Sequence, residues 1–390
     1  MRKLAIKLAK MLRIMQAAWN SCQGAHKLGT NNARSSTVGW LAEPVRWGYQ
    51  RPIRVGIVER VAEYWVCQRC RWNQDIFRGK LVKPPNGGSG AYRIFKPLAL
   101  LRLNPKFEGL RIAKWSRFGN SVIQLRNLLY IAELFEIRTL EFAEPHAFFA
   151  GAQIGAFELT WNVARPSTVG PSLEGFYFLL DAFQVSVDED SSARIFTKYL
   201  RPLLVPELRQ PDPRVRREDL ILHFRAGDAF RKSRPHPSYG QPPLSYYLSA
   251  VEREQPQRVW LVFEDRTNYC IDAAESALQA RGLEVVVQSG ATLDDIRVLM
   301  TAERLVSSRG SFVHAIAHLS ERLRKVYFFE GEEGPLPLPR GGVEVVVVRD
   351  IDGEFTAEVL SRNWTGSGDQ RALLLSYPPE KLSFSLVQSQ

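Results

Sequence analysis

The stretch Leu220-Ile221-Leu222-His223-Phe224-Arg225-Ala226-Gly227-Asp228 decides how this chain folds. It follows a charged turn, Arg216-Arg217-Glu218-Asp219, and opens on an apolar run that gives way to polar residues. That order predicts a short buried strand emptying into a loop. In an open α/β sheet, ligands bind just beyond the carboxyl ends of the strands. A guanidinium held there, beside a glycine that lets backbone come close, suits a diphosphate. The plainer alternative is a strand-end Arg225 paired with Asp228.

Working outward, the same style repeats downstream. A stiff insert, Pro235-His236-Pro237-Ser238-Tyr239-Gly240-Gln241-Pro242-Pro243, precedes a helix over about 244–254. Residues 258–263 read as a strand ending at Glu264-Asp265, with a helix after it and a strand over 283–288. Thr292-Leu293-Asp294-Asp295 offers a helix N-cap with acids in the first turn. Residues 304–308 read as another strand, and Arg309-Gly310-Ser311 leads into an apolar helix over 312–319. Upstream, residues 109–113 are strand-like, Phe118-Gly119-Asn120 makes a turn, 121–135 has helical periodicity, and 138–142 is a second strand. Residues 151–190 are aromatic and loop-rich, and 194–204 reads as a helix. Alternation of strand and helix predicts parallel sheets.

At 390 residues the chain exceeds one ordinary core, so two domains and an extension are expected. Cys22, Cys67, Cys70 and Cys270 are too few and scattered for a disulfide framework, which points to a reducing compartment. Cys67 and Cys70 form one C-x-x-C with no second pair and no nearby histidine; ordinary cysteines are favoured over a zinc or redox site. The net charge is +11, and residues 1–60 hold eleven Lys/Arg against Glu43 and Glu59. The basic excess therefore lies in an N-terminal arm, which disfavours a nucleic-acid face on the folded body. That arm opens with Leu4, Leu8, Met11, Leu12, Met15 and Trp19 on one helical face and Lys3, Lys7 and Lys10 on another. Its apolar runs are too short to span a bilayer, but a cationic helix of this kind can lie on anionic lipid. Packing on its own protein, or a frayed start, is the alternative. The sequence thus divides into a basic extension (1–107), a first Rossmann-like domain (108–215), a nucleotide-binding Rossmann-like domain (216–345) and a C-terminal segment packing back (346–390). The expected location is cytoplasmic, peripheral on the inner face of the membrane through residues 1–20.

Three separated segments resemble the fucosyltransferase superfamily of GT-B fold, which includes α1,2-, α1,6- and protein O-fucosyltransferases. Arg117-Phe118-Gly119-Asn120 is similar to its opening Gly-Asn turn, with Ser121 where Gln is usual. His223-Phe224-Arg225-Ala226-Gly227-Asp228 resembles its His-x-Arg-x-Gly-Asp motif. Asp294-Asp295-Ile296-Arg297, followed by Ser308-Arg309-Gly310-Ser311-Phe312, resembles its third motif. Asn363-Trp364 with Gln370 and Leu373-Leu374 is a fainter echo. The likeness runs over roughly 108–375; residues 1–107 have no counterpart.

The resemblance implies an α/β, GT-B-like fold of two facing doubly wound domains with an N-terminal extension. It implies an inverting glycosyltransferase that moves fucose from GDP-fucose to a glycan or lipid-linked glycan hydroxyl without an obligatory metal or other cofactor. Arg225 would grip the diphosphate, with Gly119, Asn120 and His223 alongside. Gly310, Ser311 and Phe312, at a helix start, would hold phosphate or ribose. Asp295, or its neighbour Asp294, would accept from guanine N–H groups. Asp228 and His236 are the candidates to take the acceptor's proton; Asp228 would otherwise hold the Arg225 loop. Ala226 departs from the family by replacing a second arginine, and the 235–243 insert is not general to it, so donor sugar and acceptor stay open. His314 and His318 stand one helical turn apart, yet the helix lacks the Glu of a zincin, so a core-facing pair, or one edge of the cleft, is expected. A transferase for another nucleotide sugar, and a non-catalytic nucleic-acid- or membrane-binding adaptor, are the competing readings.

Overall fold

The computed structural model describes residues 108–163, 172–175, 177–178, 187–230, 240–329, 336, 339, 342–361 and 363–387. The expectations for the amphipathic start, the Cys67/Cys70 pair and His236 lie outside these residues. In chain order the first elements are β1 (Gly109–Ile112), α1 (Phe118–Leu134), β2 (Thr139–Phe142), β3 (Gln153–Ile154), β4 (Phe157–Thr160), β5 (Ser172–Gly175) and α2 (Glu189–Ile195). Then come β6 (Leu220–Phe224), α3 (Leu244–Glu254), β7 (Arg258–Phe263), α4 (Tyr269–Ala280), β8 (Glu284–Gln288), α5 (Thr292–Thr301) and β9 (Arg304–Val306). The last are α6 (Ser311–Leu319), β10 (Lys325–Phe329), β11 (Glu344–Asp350), α7 (Gly368–Ser376) and β12 (Leu382–Val387).

The chain forms two compact units. In the first, β1 lies between β2 and β5, parallel to both, with Leu110 opposite Leu140 and Leu173. Leu110, Ile112, Leu140 and Phe142 are fully buried, as expected of parallel strands covered on both faces. Phe142 stacks on Trp161 with ring centroids 4.2 Å apart.

The second unit takes residues 115–131, 145–159 and 187 onward. Its sheet has seven strands in the order β12-β11-β10-β9-β6-β7-β8; all are parallel except β12, which runs antiparallel to β11. Every residue of β6 and β7 is buried, which is why both read as mostly apolar runs, broken by His223 in β6 and opened by Arg258 in β7. From β6 the chain winds outward through β7 to β8, then returns to the other side of β6 for β9, β10 and β11. This is the doubly wound order, and its direction reverses between β6 and β9. Helices α3, α4 and α7 pack on one another and, with Tyr246, Tyr247, Leu278 and Leu374, cover one face; α5 and α6 pack together elsewhere on the sheet. The mixed α/β architecture with parallel-rich sheets agrees with the sequence.

Some local details differ. Phe118-Gly119-Asn120 is not a turn but the first turn of α1. Thr292 does not cap α5: it is the first helical residue, and Ala291 holds the cap position without a side-chain bond. Residues 151–190 contain the short strands β3, β4 and β5. The helix expected at 194 begins five residues earlier because Asp188 caps it, its carboxylate accepting from the Ser191 N–H at 2.8 Å. It continues through a π-helical turn, Phe196–Leu200. The strand β9 stops at Val306, short of Ser308.

Candidate active site

The site is built where the winding reverses. β6 and β7 pair in register with Phe224 opposite Phe263, so Arg225 and Glu264 leave the sheet side by side. β6 also pairs with β9, so Ser307 and Ser308 emerge on the other flank. Backbone anchors hold the Arg225 loop. The Asn268 side-chain amide donates to the Arg225 carbonyl at 2.8 Å while its oxygen accepts from the Cys270 N–H at 2.9 Å, capping α4. The Gly227 N–H donates to Asp265 Oδ1 at 3.1 Å and to Thr267 Oγ1 at 3.0 Å. Gly227 has φ 63°, left-handed backbone that glycine adopts without strain.

The Arg225 guanidinium lies over Gly310, the N-cap of α6; a Cβ there would come within 2.6 Å of Nη1. Gly310 has φ 114°, a second position where a side chain would be strained. As a glycine, Gly310 has no side chain with which to cap the first N–H groups of α6. A half-buried guanidinium beside the first amides of a helix has the charge and hydrogen-bond direction that suit an anion.

The start of α1 meets the same point. A Cβ on Gly119 would sit 2.6 Å from the Ser311 carbonyl carbon and 2.7 Å from the Phe312 nitrogen, so glycine alone permits this approach. Beside it, the Ser311 hydroxyl donates to Asn120 Oδ1 at 2.6 Å. Phe312 packs between Phe118, at 5.6 Å, and the His223 ring, at 5.2 Å. His223 is buried, with Nδ1 2.6 Å from Ser308 Oγ. Burial lowers its pKa to about 3, and the positive charge of Arg225 pushes the same way, so the imidazole is neutral.

The structure thus gathers Gly119, Asn120, His223, Arg225, Gly310, Ser311 and Phe312. Asp295 belongs to another part of the same sheet edge. It sits in the first turn of α5, is buried, and accepts from Gln288 Nε2 at 3.0 Å. Burial raises its pKa to about 6; the Gln288 bond opposes that, while Asp294 and Glu264 add repulsion. Asp228 lies in the short 3₁₀ turn Gly227–Ala229, but its side chain is outside the described residues. His314 stacks on Phe328 at 4.3 Å and His318 on Phe196 at 4.5 Å, as core histidines do. Among the described residues no cluster of His, Cys, Asp or Glu is arranged to hold a metal.

Several participants escaped the sequence. Asn268, Asp265 and Thr267 hold the Arg225 loop from the end of β7, and only the pairing of β6 with β7 brings them there. Trp364, part of the fainter echo in the sequence, is fully buried; its indole N–H lies 3.5 Å from the Ala229 carbonyl and its ring packs edge-on against Phe230 at 5.7 Å.

No protein-family model and no curated protein matches the chain. Among solved structures it is similar to POFUT1 in complex with GDP, at 13% identity over 61% of this chain and 97% of that one, TM-score 0.34. It is also similar to a variant of Arabidopsis thaliana FUT1 in complex with GDP (11% identity, 65% and 73% of the two chains, TM-score 0.39). A third is the E. coli heptosyltransferase WaaC with ADP (12% identity, 65% and 95%, TM-score 0.38). These neighbours are glycosyltransferases of GT-B fold.

Proposed function

We propose that the protein is a glycosyltransferase that takes fucose from GDP-fucose and passes it to a glycan hydroxyl with inversion. The observation that carries this is the Arg225 guanidinium lying over Gly310, the glycine that starts α6, where the sheet's winding reverses. A cation and fixed amides converging at a switch point suit a diphosphate. The doublet Asn120–Ser311 would bind beside it, and Asp295 would accept from the guanine N–H groups above its pKa of about 6.

In the reaction, the acceptor oxygen forms a bond to the anomeric carbon as the bond from that carbon to the β-phosphate oxygen breaks. The bonding electrons leave with the phosphate, where negative charge grows. Arg225 and the α6 amides face that growing charge, so they stabilise the transition state more than the ground state. The acceptor's proton passes to a base, for which Asp228 and His236 remain the candidates. The cationic amphipathic start of the sequence supports a lipid-linked acceptor at an anionic membrane surface.

Calorimetric titration with GDP, UDP and ADP, followed by turnover on a panel of nucleotide sugars, tests the proposal. GDP should bind, and Arg225→Ala should weaken it by roughly 10- to 150-fold, the loss of about 1.5–3 kcal/mol for a hydrogen bond to a charged group. Turnover of a UDP- or CMP-sugar alone would overturn the guanine assignment. No nucleotide binding, with salt-sensitive nucleic-acid binding through residues 1–60, would favour an adaptor instead.

A further inference from the structure

The segment Pro211-Asp212-Pro213-Arg214 precedes β6, and each of its prolines fixes a backbone angle. Three bonds pin it to the sheet and to α5. The Asp212 N–H donates to Thr301 Oγ1 at 2.8 Å, and Arg297 donates to the Pro211 carbonyl at 3.3 Å. Arg258, at the start of β7, donates to the Arg214 carbonyl at 2.8 Å. The Arg214 guanidinium is clamped in turn. Its Nε and Nη2 donate to the two carboxylate oxygens of the buried Asp212, at 3.0 and 2.7 Å. The same Nη2 donates to Gln288 Oε1, at the end of β8, at 3.3 Å, and Gln288 Nε2 donates to Asp295 Oδ1 at 3.0 Å. A relay of side chains thus runs from a fixed cation to the buried acid of α5.

A glutamine amide accepts at one end and donates at the other. Reversed, the Gln288 oxygen would face the Asp295 carboxylate and its NH₂ group would face the guanidinium. Two repulsive contacts would replace two hydrogen bonds, so the direction of the amide is set. In that direction it favours Asp295 charged. The rest of its surroundings favour it neutral: burial first, then Asp294 beside it on α5 and Glu264 past the end of β7. The charge of Asp294 also reaches Arg214, and that of Arg297 reaches Asp212. Among the described residues the Asp295 carboxylate takes no hydrogen bond besides that of Gln288, which leaves Oδ2 over.

We infer that Arg214 is a positioning residue for guanine recognition: acting through the Gln288 amide, it holds Asp295 as a carboxylate whose Oδ2 accepts from the guanine N–H groups. This rests on the nucleotide-binding reading above and adds to it a residue that would not itself touch the nucleotide.

The test is calorimetric titration of the full chain with GDP between about pH 5 and 9, across the range where Asp295 ionises. Gln288→Met keeps the length of the side chain and removes both hydrogen bonds. Asp295 then ionises at higher pH, so the rise of GDP affinity should move up by about half to one pH unit, the worth of one hydrogen bond. At the alkaline end Asp295 is charged with or without the relay, and affinity should return nearly to that of the unaltered chain. Arg214→Ala should move the rise the same way by less, and Arg214→Lys, which keeps a positive donor, should recover part of the loss. The protonation of GDP itself is common to every titration and cancels in the comparison. In an Asp295→Asn background, Gln288→Met should leave the profile where it is. The Arg214 side chain is 57% exposed, so its variants are expected to fold even if Gln288→Met does not. A profile that none of these changes moves, or an affinity lowered equally at every pH as a merely structural role predicts, would overturn the assignment and leave the nucleotide site standing. A chain that binds no GDP at any pH takes both proposals down.

Discussion

Gly119→Ala tests the close approach of two helix starts, and the sign of its effect is informative. In an exposed helix turn the change would stabilise by about 0.5–1 kcal/mol, because alanine loses less backbone entropy than glycine. Here the new methyl would lie 2.6 Å from the Ser311 carbonyl carbon and 2.7 Å from the Phe312 nitrogen. These are backbone atoms of α6, which cannot swing aside as a side-chain tip would. Ordinary contact requires about another ångström, and overpacking of this sort costs roughly 1–3 kcal/mol. Destabilisation should win, by about 1–2 kcal/mol. The displacement falls on the Phe312 amide and on the Asn120–Ser311 bond, so GDP affinity should fall as well. Urea denaturation gives the first quantity and calorimetric titration the second. A Gly119→Ala protein that is more stable than its parent and binds GDP undiminished would refute the packing.

Other outcomes follow from the same geometry. Since the folded pKa of His223, about 3, lies below its unfolded value near 6.5, the unfolded chain binds a proton that the native one refuses across that window. Stability should fall as pH drops through it, by up to about 1.4 kcal/mol per pH unit for this group; His223→Gln should remove one proton's share of that slope in urea midpoints. His146, lowered to about 4 by burial, contributes in the same direction and should persist in the variant. GDP affinity should rise between pH 5 and 7 as Asp295 ionises near 6, and Asp295→Asn should flatten that rise. Gln370→Ala should cost about 2–4 kcal/mol in thermal or urea unfolding. Its Oε1 accepts from the Thr365 and Gly366 N–H groups at 2.9 and 3.0 Å, and its Nε2 donates to the Glu358 and Asn363 carbonyls at 2.7 Å each.

Residues 220–224 and 258–263 could be read from sequence because both strands are buried on both faces and so are mostly apolar, His223 and Arg258 excepted. The bounds of α3 were legible because prolines flank it, Pro243 before and Pro256 just past its end. Gly119 and Asn120 looked like a turn because both are poor helix formers. A tertiary demand overrides that propensity, since only glycine lets α1 start against α6. Thr292 looked like a cap because its hydroxyl is the right chemistry, yet the helix begins one residue too early for it. The roles of Asn268 and Asp265 were not legible, since they depend on which strand lies beside β6, and order along the chain does not state order across a sheet. Arg225 and the residues from Gly310 to Phe312 were legible as separate motifs; their meeting follows from the return of the chain to β9.

One further anchor bears on α6. Arg201 donates to the carbonyls of His318 at 3.0 Å and Ser320 at 3.3 Å, at the far end of the helix from Gly310. With Gly119 backing its first turn and Arg201 gripping its last, α6 has little freedom to slide along its own axis. A nucleotide bound there as proposed would meet groups already in place, so docking would demand little rearrangement. Variation among related ligands should then show in dwell time, with arrival rates nearly constant.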